Sequence, residues 1–328
     1  MLTRKLKLTL KGLEVGTTPM LLPAISSRLN LPIQELLSQI SDIVDGPFLI
    51  SAYDYYYEKY LYKHDISVSF SDLIFLDSGG YECNKDLGIS NIGLYKTNHL
   101  EWNKDFHLLT IKEWPNDVPT VLISYDHPLV RDTISRQIEN ANDLFHGKDE
   151  FLKEILIKPE TDTSTKINPE KIIENLDLFT LFDIVGFTEK ELGNSILERM
   201  VCIAKIRIAM DKKGIDIPIH IFGGLDVVTT PLYYLSGADI FDGLSWLRFL
   251  FNDGNTLYID SFGPKFYGSD ENIYKIWIRS IYQNYNYLRR LKSDLEIFHY
   301  KNDFKIFGPN AEFFKKAYED LVVNVRVI

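Results

Sequence analysis

Two short segments, each an apolar run that ends in aspartate with glycine close behind, hold the residues best suited to chemistry. Asp77 closes the run 73–76 and is followed by Ser78-Gly79-Gly80, and Asp242 follows Ile240-Phe241. An α/β barrel places its catalytic groups where strands end. Carboxylates in that position can act as nucleophiles or move protons. The two aspartates are far apart in sequence, and together they predict one split active site.

Each segment also has a plainer interpretation. Two glycines remove side-chain bulk and let backbone N–H groups converge, so a flat ring or an anion could approach the chain closely. An aspartate before two glycines is nevertheless more often a turn. Asp242 on its own is more often a helix N-cap or a partner in a loop salt bridge. The combination of the two segments favours function.

Short apolar runs alternate along the chain with stretches long enough for helices. This pattern is typical of a parallel sheet, whose strands would position the two aspartates. We predict strands at 20–24, 48–52, 73–77, 121–126, 155–158, 183–187, 219–223 and 239–242. Eight strands is the number in a (β/α)8 TIM barrel. The predicted fold class is therefore α/β, with a TIM-barrel catalytic domain over residues 1–262.

Helices are predicted where apolar residues recur at helical spacing. These segments are 33–44, 133–145, 195–212 and 272–295. The last belongs to a helical C-terminal extension, residues 263–328, which we expect to pack on the barrel. The segment 87–119 is long, polar and aromatic without a clear period, so we predict an inserted loop region there.

Composition narrows the class of protein. The chain has 328 residues, of which 45% are apolar, enough for one large core or two modest ones. The net charge of -10 argues against indiscriminate phosphate binding but allows a local basic face. Two cysteines permit no disulfide framework, and the seven histidines show no recognised ligand spacing, so we predict neither metal nor cofactor. Neither a membrane-length apolar run nor a signal peptide is evident, so we expect a cytoplasmic protein with no membrane contact.

Four ordered segments resemble the tRNA-guanine transglycosylases and their DNA-modifying relatives. Residues 16–24 (GTTPMLLPA) are similar to the family's opening TP-x-FMPV strand, and residues 77–82 (DSGGYE) to its DSGGFQ or DSGGYQ. Residues 219–224 (IHIFGG) resemble RYLMGVG, and residues 237–248 (GADIFDGLSWLR) align with GVDMFDCVLPTR without a gap. The resemblance covers roughly residues 16–260.

The resemblance implies a pentosyltransferase that replaces guanine in a polynucleotide with a 7-deazaguanine. A carboxylate attacks the sugar carbon and gives a covalent glycosyl-enzyme, as in a retaining glycosidase. By resemblance Asp242 is the nucleophile, and Asp77 moves protons to and from the bases. Asp126, in the segment 124–128 (SYDHP), would accept hydrogen bonds from the purine. The other implied substrate-binding residues are Tyr81 and Phe222, which would clamp the base, with Ser78, Gly79, Gly80, Lys158, Gly186, Gly223 and Arg248.

Two departures from the family pattern bear on the substrate. Lys158 stands where the family has the glutamine of its VQGG strand end, which binds the carbonyl edge of the base, and lysine adds a charge there. The family's CxCxxC zinc motif is missing, since no cysteine follows Asp242. The absence of this element slightly favours DNA over tRNA as the partner.

Two alternatives stay open. One is a nucleosidase that releases a deazapurine from a small nucleoside, which the altered glutamine position and the net charge of -10 favour. The other is a non-catalytic partner subunit, against which the presence of both Asp77 and Asp242 speaks. A homodimer or a complex with a partner subunit is also left open.

Overall fold

Eight strands form the central sheet of the protein, whose computed structural model describes residues 1–29, 33–62, 70–83, 100–115, 117–126, 130–161 and 163–326. The strands of this sheet are β3 (Met20–Pro23), β4 (Phe48–Ser51), β5 (Ile74–Asp77), β6 (Thr120–Ile123), β7 (Leu152–Ile157), β8 (Ile184–Thr188), β9 (Ile219–Phe222) and β10 (Ile240–Gly243). Their order is β3-β10-β9-β8-β7-β6-β5-β4. Two hairpins stand outside the sheet: β1 (Lys7–Leu10) with β2 (Leu13–Thr17), and β11 (Phe249–Asn252) with β12 (Asn255–Tyr258).

Helices follow most of the strands of this sheet. They are α1 (Ile33–Ile40), α2 (Ala52–Tyr62), α3 (Gly80–Cys83), α4 (Lys104–Glu113), α5 (Ile134–Phe145), α6 (Pro169–Glu174), α7 (Ile196–Lys213), α8 (Thr229–Leu235), α9 (Ser245–Arg248), α10 (Ile259–Tyr267), α11 (Ile273–Lys301) and α12 (Ala311–Arg326). Neighbouring strands are parallel wherever their register is described. The predicted α/β class and (β/α)8 barrel fold are confirmed, as is a helical C-terminal region.

Local sequence explains where the predicted helices begin and end. The Thr133 hydroxyl accepts a hydrogen bond from the N–H of Arg136 at the start of α5, and the Ser195 hydroxyl caps α7 in the same way. Gly214, with φ of 70°, ends α7 in the left-handed conformation that glycine adopts most easily. None of the described helices is long and apolar enough to cross a membrane.

The chain divides into two compact units, and each is described by itself. The N-terminal unit comprises Leu8–Gly16 and Ala24–Gly186, and the C-terminal unit comprises Met1–Lys7, Thr17–Pro23 and Phe187–Ile328. The predicted domain boundary at residue 262 stays a prediction.

Within the C-terminal unit, α11 is hydrogen-bonded to the β11–β12 hairpin. Asn284 on α11 is fully buried. Its side chain accepts a hydrogen bond from the N–H of Phe251 at 2.7 Å and donates to the carbonyl oxygen of Phe249 at 2.6 Å. Because a buried amide is costly unless it is hydrogen-bonded, these bonds fix α11 against the hairpin.

In the N-terminal unit, the prediction of an inserted loop region at 87–119 is wrong for residues 104–113, which form α4. Asn103 caps this helix by accepting hydrogen bonds from two backbone N–H groups. Phe106 packs on Tyr56 of α2, with ring centroids 5.2 Å apart. This tertiary contact and the cap stabilise the helix, and it has no continuous apolar stripe. For that reason its apolar residues show no clear helical period in the sequence. Residues 84–99 and 116 lie outside the described residues.

Candidate functional site

Asp77 ends β5, after three residues that are completely buried. Its own side chain keeps a little solvent contact, since the residue is 8% exposed. The N–H of Gly79 donates to Asp77 Oδ2 at 3.3 Å. The carboxylate is therefore oriented by the turn that follows the strand, at the end of the strand where barrel enzymes carry their catalytic groups.

The two glycines after Ser78 are required by neighbouring side chains. At Gly79, which has φ of 85°, an added Cβ would lie 2.7 Å from the indole nitrogen of Trp102, and that nitrogen donates to the carbonyl oxygen of Ser78 at 2.9 Å. At Gly80, an added Cβ would lie 2.2 Å from Asp126 Oδ1. The space that we expected a ring or an anion to use is thus taken by Trp102 and by the Asp126 carboxylate.

Asp126 lies against the turn after β5 and accepts one hydrogen bond there, from a side chain that the turn itself holds. The Ser78 hydroxyl donates to Asp126 Oδ1, and the N–H of Gly80 donates to the Ser78 hydroxyl oxygen at 3.3 Å. Asp126 Oδ2 is 3.9 Å from Lys158 Nζ, and both side chains are only 11% exposed. The structure therefore brings together Ser78, Gly80, Asp126 and Lys158, all expected to bind substrate. The part of the SYDHP segment after Asp126 lies outside the described residues.

Lys158 follows β7, and Gln137 of α5 fixes its backbone. The N–H of Lys158 donates to Gln137 Oε1 at 2.9 Å, and Gln137 Nε2 donates to the carbonyl oxygen of Lys158 at 3.0 Å. A cavity of about 290 Å³ opens beside these residues, close to the lower end of small-molecule pockets, about 300 Å³. Its lining includes Tyr125, Asp126, Arg131, Gln137, Leu156 and Lys158. The cavity thus offers carboxylate, ammonium and guanidinium groups to a ligand.

Tyr81 and Glu82 continue the segment in α3. The Tyr81 residue is 36% exposed, and the Arg28 guanidinium lies 4.5 Å from the centroid of its ring. Arg28 also donates to the carbonyl oxygen of Tyr81 at 2.5 Å. The ring therefore has one face against a cation, which holds its orientation.

Glu82 is buried and forms a carboxylate pair with Asp54, which the sequence pattern does not reveal. Hydroxyl groups of Ser26 and Ser51 donate to its two oxygens at 2.5 and 2.8 Å. Burial raises the pKa of Glu82, and these hydrogen bonds partly oppose that shift. Burial, together with the nearby charge of Glu82, holds the pKa of Asp54 well above its usual range.

Gly186 has a different setting from the other expected site residues of the N-terminal unit. It is buried inside β8, within the strand rather than in a loop.

In the C-terminal unit, Asp242 lies near the carboxyl end of β10 and is 8% exposed. Asp242 Oδ1 accepts a hydrogen bond from the N–H of Gly223 at 2.9 Å and lies 3.3 Å from Nε2 of His220. Asp242 Oδ2 has no hydrogen-bond partner in the described part of the chain. Oδ1 is thus held by one backbone hydrogen bond, with the His220 nitrogen at ion-pair distance, and Oδ2 is left with its lone pairs.

Three other expected residues surround Asp242 in sequence or along the neighbouring strand. Gly223 has φ of 77°, a backbone conformation that favours glycine. Its surroundings do not require glycine, since nothing lies within 4 Å of an added Cβ. Phe222 is half-buried at the end of β9. Arg248 ends α9, and its guanidinium lies 5.2 Å from the centroid of the Phe249 ring.

His220 is the residue that sequence reasoning missed. It is fully buried on β9, and its ring stacks on that of Phe222, with centroids 4.0 Å apart and an interplanar angle of 28°. The sequence does contain a signal for His220, because side chains alternate between the two faces of a strand and residues two apart share a face. His220 shares the face of Phe222, which we had expected to contact the base.

Comparison of the chain with protein-family models and with curated proteins gives no match. Among the described residues, no group of three or more His, Cys, Asp or Glu side chains could hold a metal ion.

Proposed function

We propose that the protein is a transglycosylase that exchanges guanine for a 7-deazaguanine in nucleic acid through a covalent glycosyl-aspartate. The observation that carries this proposal is the asymmetric holding of Asp242. Its Oδ1 accepts a hydrogen bond from Gly223 and lies 3.3 Å from Nε2 of His220, while Oδ2 has no hydrogen-bond partner among the described residues. A carboxylate nucleophile needs one oriented oxygen whose lone pairs are available.

The reaction has two balanced steps. In the first, Asp242 Oδ2 forms a bond to C1′ of the sugar as the bond from C1′ to N9 of guanine breaks, and the electron pair of that bond leaves with the base. Asp77 in its acid form gives the departing guanine a proton. In the second, the Asp77 carboxylate takes the N9 proton of the incoming base. That nitrogen attacks C1′, the C1′–Oδ2 bond breaks, and the Asp242 carboxylate is restored.

Base recognition is assigned to Asp126 and Lys158. The Asp126 carboxylate accepts hydrogen bonds from N1–H and the exocyclic amine of guanine, and Lys158 donates to the carbonyl oxygen. Asp126 Oδ2 and Lys158 Nζ are 3.9 Å apart, and both side chains have low exposure. This spacing supports recognition of one guanine edge by both residues, because that edge carries two hydrogen-bond donors beside a carbonyl acceptor. Tyr81 and Phe222 stack on the base.

DNA is favoured over tRNA as the polymer, because the family's zinc motif is missing from the sequence. A duplex substrate would require the target base to be flipped out of the helix.

A denaturing-gel experiment tests the proposal. Wild-type protein incubated with guanine-containing single-stranded DNA, duplex DNA or tRNA should give an adduct that survives denaturation, and Asp242→Asn should give none. Asp216→Asn is a matched control in the same unit, since the Asp216 side chain is 82% exposed. Failure of the wild type to form an adduct on all three polymers would refute the proposal.

A nucleosidase is the second candidate, favoured by the lysine beside Asp126 and by the net charge of -10. It predicts release of free deazapurine from a small nucleoside in water with no polymer present. Release from the nucleoside without base exchange in the polymer would favour this candidate.

A further inference from the structure

We propose that His220 is a positioning residue that holds the nucleophilic carboxylate and the base-stacking ring at the same time. This inference rests on the proposed function for its catalytic consequence. The contact between His220 and Asp242 on which it depends is a property of the folded protein and can be measured without any substrate.

The edge of the His220 ring contacts Asp242. His220 Nε2 lies 3.3 Å from Asp242 Oδ1, which also accepts the N–H of Gly223 at 2.9 Å. His220 and Ile240 are register partners on the parallel strands β9 and β10. Asp242 shares the face of Ile240, two residues further along β10. The Gly223 hydrogen bond and the adjacent imidazole together restrict rotation of the carboxylate and leave Oδ2 as the attacking atom.

The flat face of the His220 ring contacts Phe222. The two rings stack at 4.0 Å with an angle of 28°, and His220 itself is completely buried. A buried ring that fills the space beneath another ring restricts its tilt. His220 therefore supports Phe222 through its flat face and Asp242 through its edge nitrogen, with the ring proton on Nε2.

These two roles are separable by substitution. His220→Phe keeps an aromatic ring under Phe222 and removes the donor to Asp242. His220→Gln keeps a donor and removes the ring.

The kinetic test compares adduct formation by these variants under single-turnover conditions. We expect His220→Phe to slow adduct formation about 10- to 100-fold, the range for losing a polar partner of a charged group, with KM for the incoming base changed less than about twofold. We expect His220→Gln to recover most of that rate and to raise KM for the base. His299→Phe is the control, since His299 lies on α11 of the same unit and contacts Thr3.

Two results would overturn the proposal for a wild-type protein that forms the adduct. One is a His220→Phe rate equal to that of wild type. The other is a His220→Gln rate no better than that of His220→Phe, because a purely structural ring would give that order.

A second measurement needs no activity. In protein labelled with ¹⁵N-histidine, His220 should show its ring proton on Nε2, and Asp242→Asn should shift that nitrogen signal. A ring proton on Nδ1, or a signal unchanged in Asp242→Asn, refutes the positioning role even if the proposed reaction is correct. A protein that shows the expected signals but forms no adduct instead refutes the proposed function and leaves the positioning contact in place.

Discussion

Replacing Gly80 with alanine should displace the carboxylate of Asp126 from the position in which it can read a base. The added Cβ would lie 2.2 Å from Asp126 Oδ1 and 2.6 Å from Oδ2, whereas real Cβ atoms essentially never come closer than 3.0 Å to a neighbour. The carboxylate must therefore retreat by about 0.8 Å, the difference between 3.0 and 2.2 Å. The hydrogen bond from Ser78 would be strained by that movement.

A misplacement of about 1 Å can cost about 100-fold in rate, equivalent to about 2.7 kcal/mol. We expect the rate of adduct formation by Gly80→Ala to fall by about that factor. Single-turnover incubation with a guanine oligonucleotide measures it, and a melting curve confirms that the variant is folded.

The Asp126→Ala background provides the matched control, because the displaced group is then absent. There, adding Gly80→Ala should cost little more, since mutations that act through one group are not additive. An unchanged rate in the single variant, or a full additional loss in the double variant, would refute this explanation of Gly80.

Three further predictions concern charge. Lys158→Gln should raise KM for the base about tenfold, because a charge-assisted hydrogen bond to the carbonyl oxygen is roughly twice as strong as a neutral one; steady-state base exchange measures it, and an unchanged KM would remove Lys158 from base recognition. Burial and the charge of Glu82 raise the pKa of Asp54. Above about pH 4 the native state therefore binds more protons than the unfolded state. As a result, the free energy of unfolding falls as pH rises toward the raised pKa. Urea unfolding should therefore show a weaker loss of stability with rising pH in Asp54→Asn than in wild type, and parallel curves would contradict the shift. Burial lowers the pKa of His107 to about 3, so protonation of the unfolded state should cost wild type about 2 kcal/mol between pH 7 and 5. His107→Phe should lose that part of the pH dependence in the same assay, and an unchanged dependence would be inconsistent with a neutral buried ring.

Much of the barrel could be predicted from sequence because its strands are short apolar runs. Strands such as β5 and β10 are buried, so β-branched and aromatic residues mark them without any partner being known. The α7 helix was equally visible, since Ser195 and Gly214 mark its two ends. Local chemistry specifies these elements.

The α4 helix and the buried polar residues could not be predicted in the same way. The packing of α4 depends on Trp102 and Phe106 contacting α2, a segment about 50 residues earlier in the chain. The sequence singled out the glycines after Ser78 as leaving space for a ligand, but Trp102 and Asp126 fill that space. Only tertiary structure shows which side chain occupies such a space.

The candidate site likewise contains residues that local sequence reveals and contacts that only the tertiary structure reveals. The order of the motifs along the chain singled out Asp242 and Asp126, because each lies at or just after the end of a recognisable strand. The contact of His220 with Asp242 depends on the register of β9 against β10, which no single-strand pattern contains.

The central claim is that a base is exchanged at an unbroken sugar through Asp242, and one measurement tests it most directly. An oligonucleotide carrying labelled guanine is incubated with the protein and an unlabelled 7-deazaguanine, and both the released guanine and the base content of the strand are followed. We predict one deazaguanine incorporated for each guanine released, with no abasic site and no exchange by Asp242→Asn. Guanine release that leaves abasic sites, or exchange that persists in Asp242→Asn, would contradict the claim.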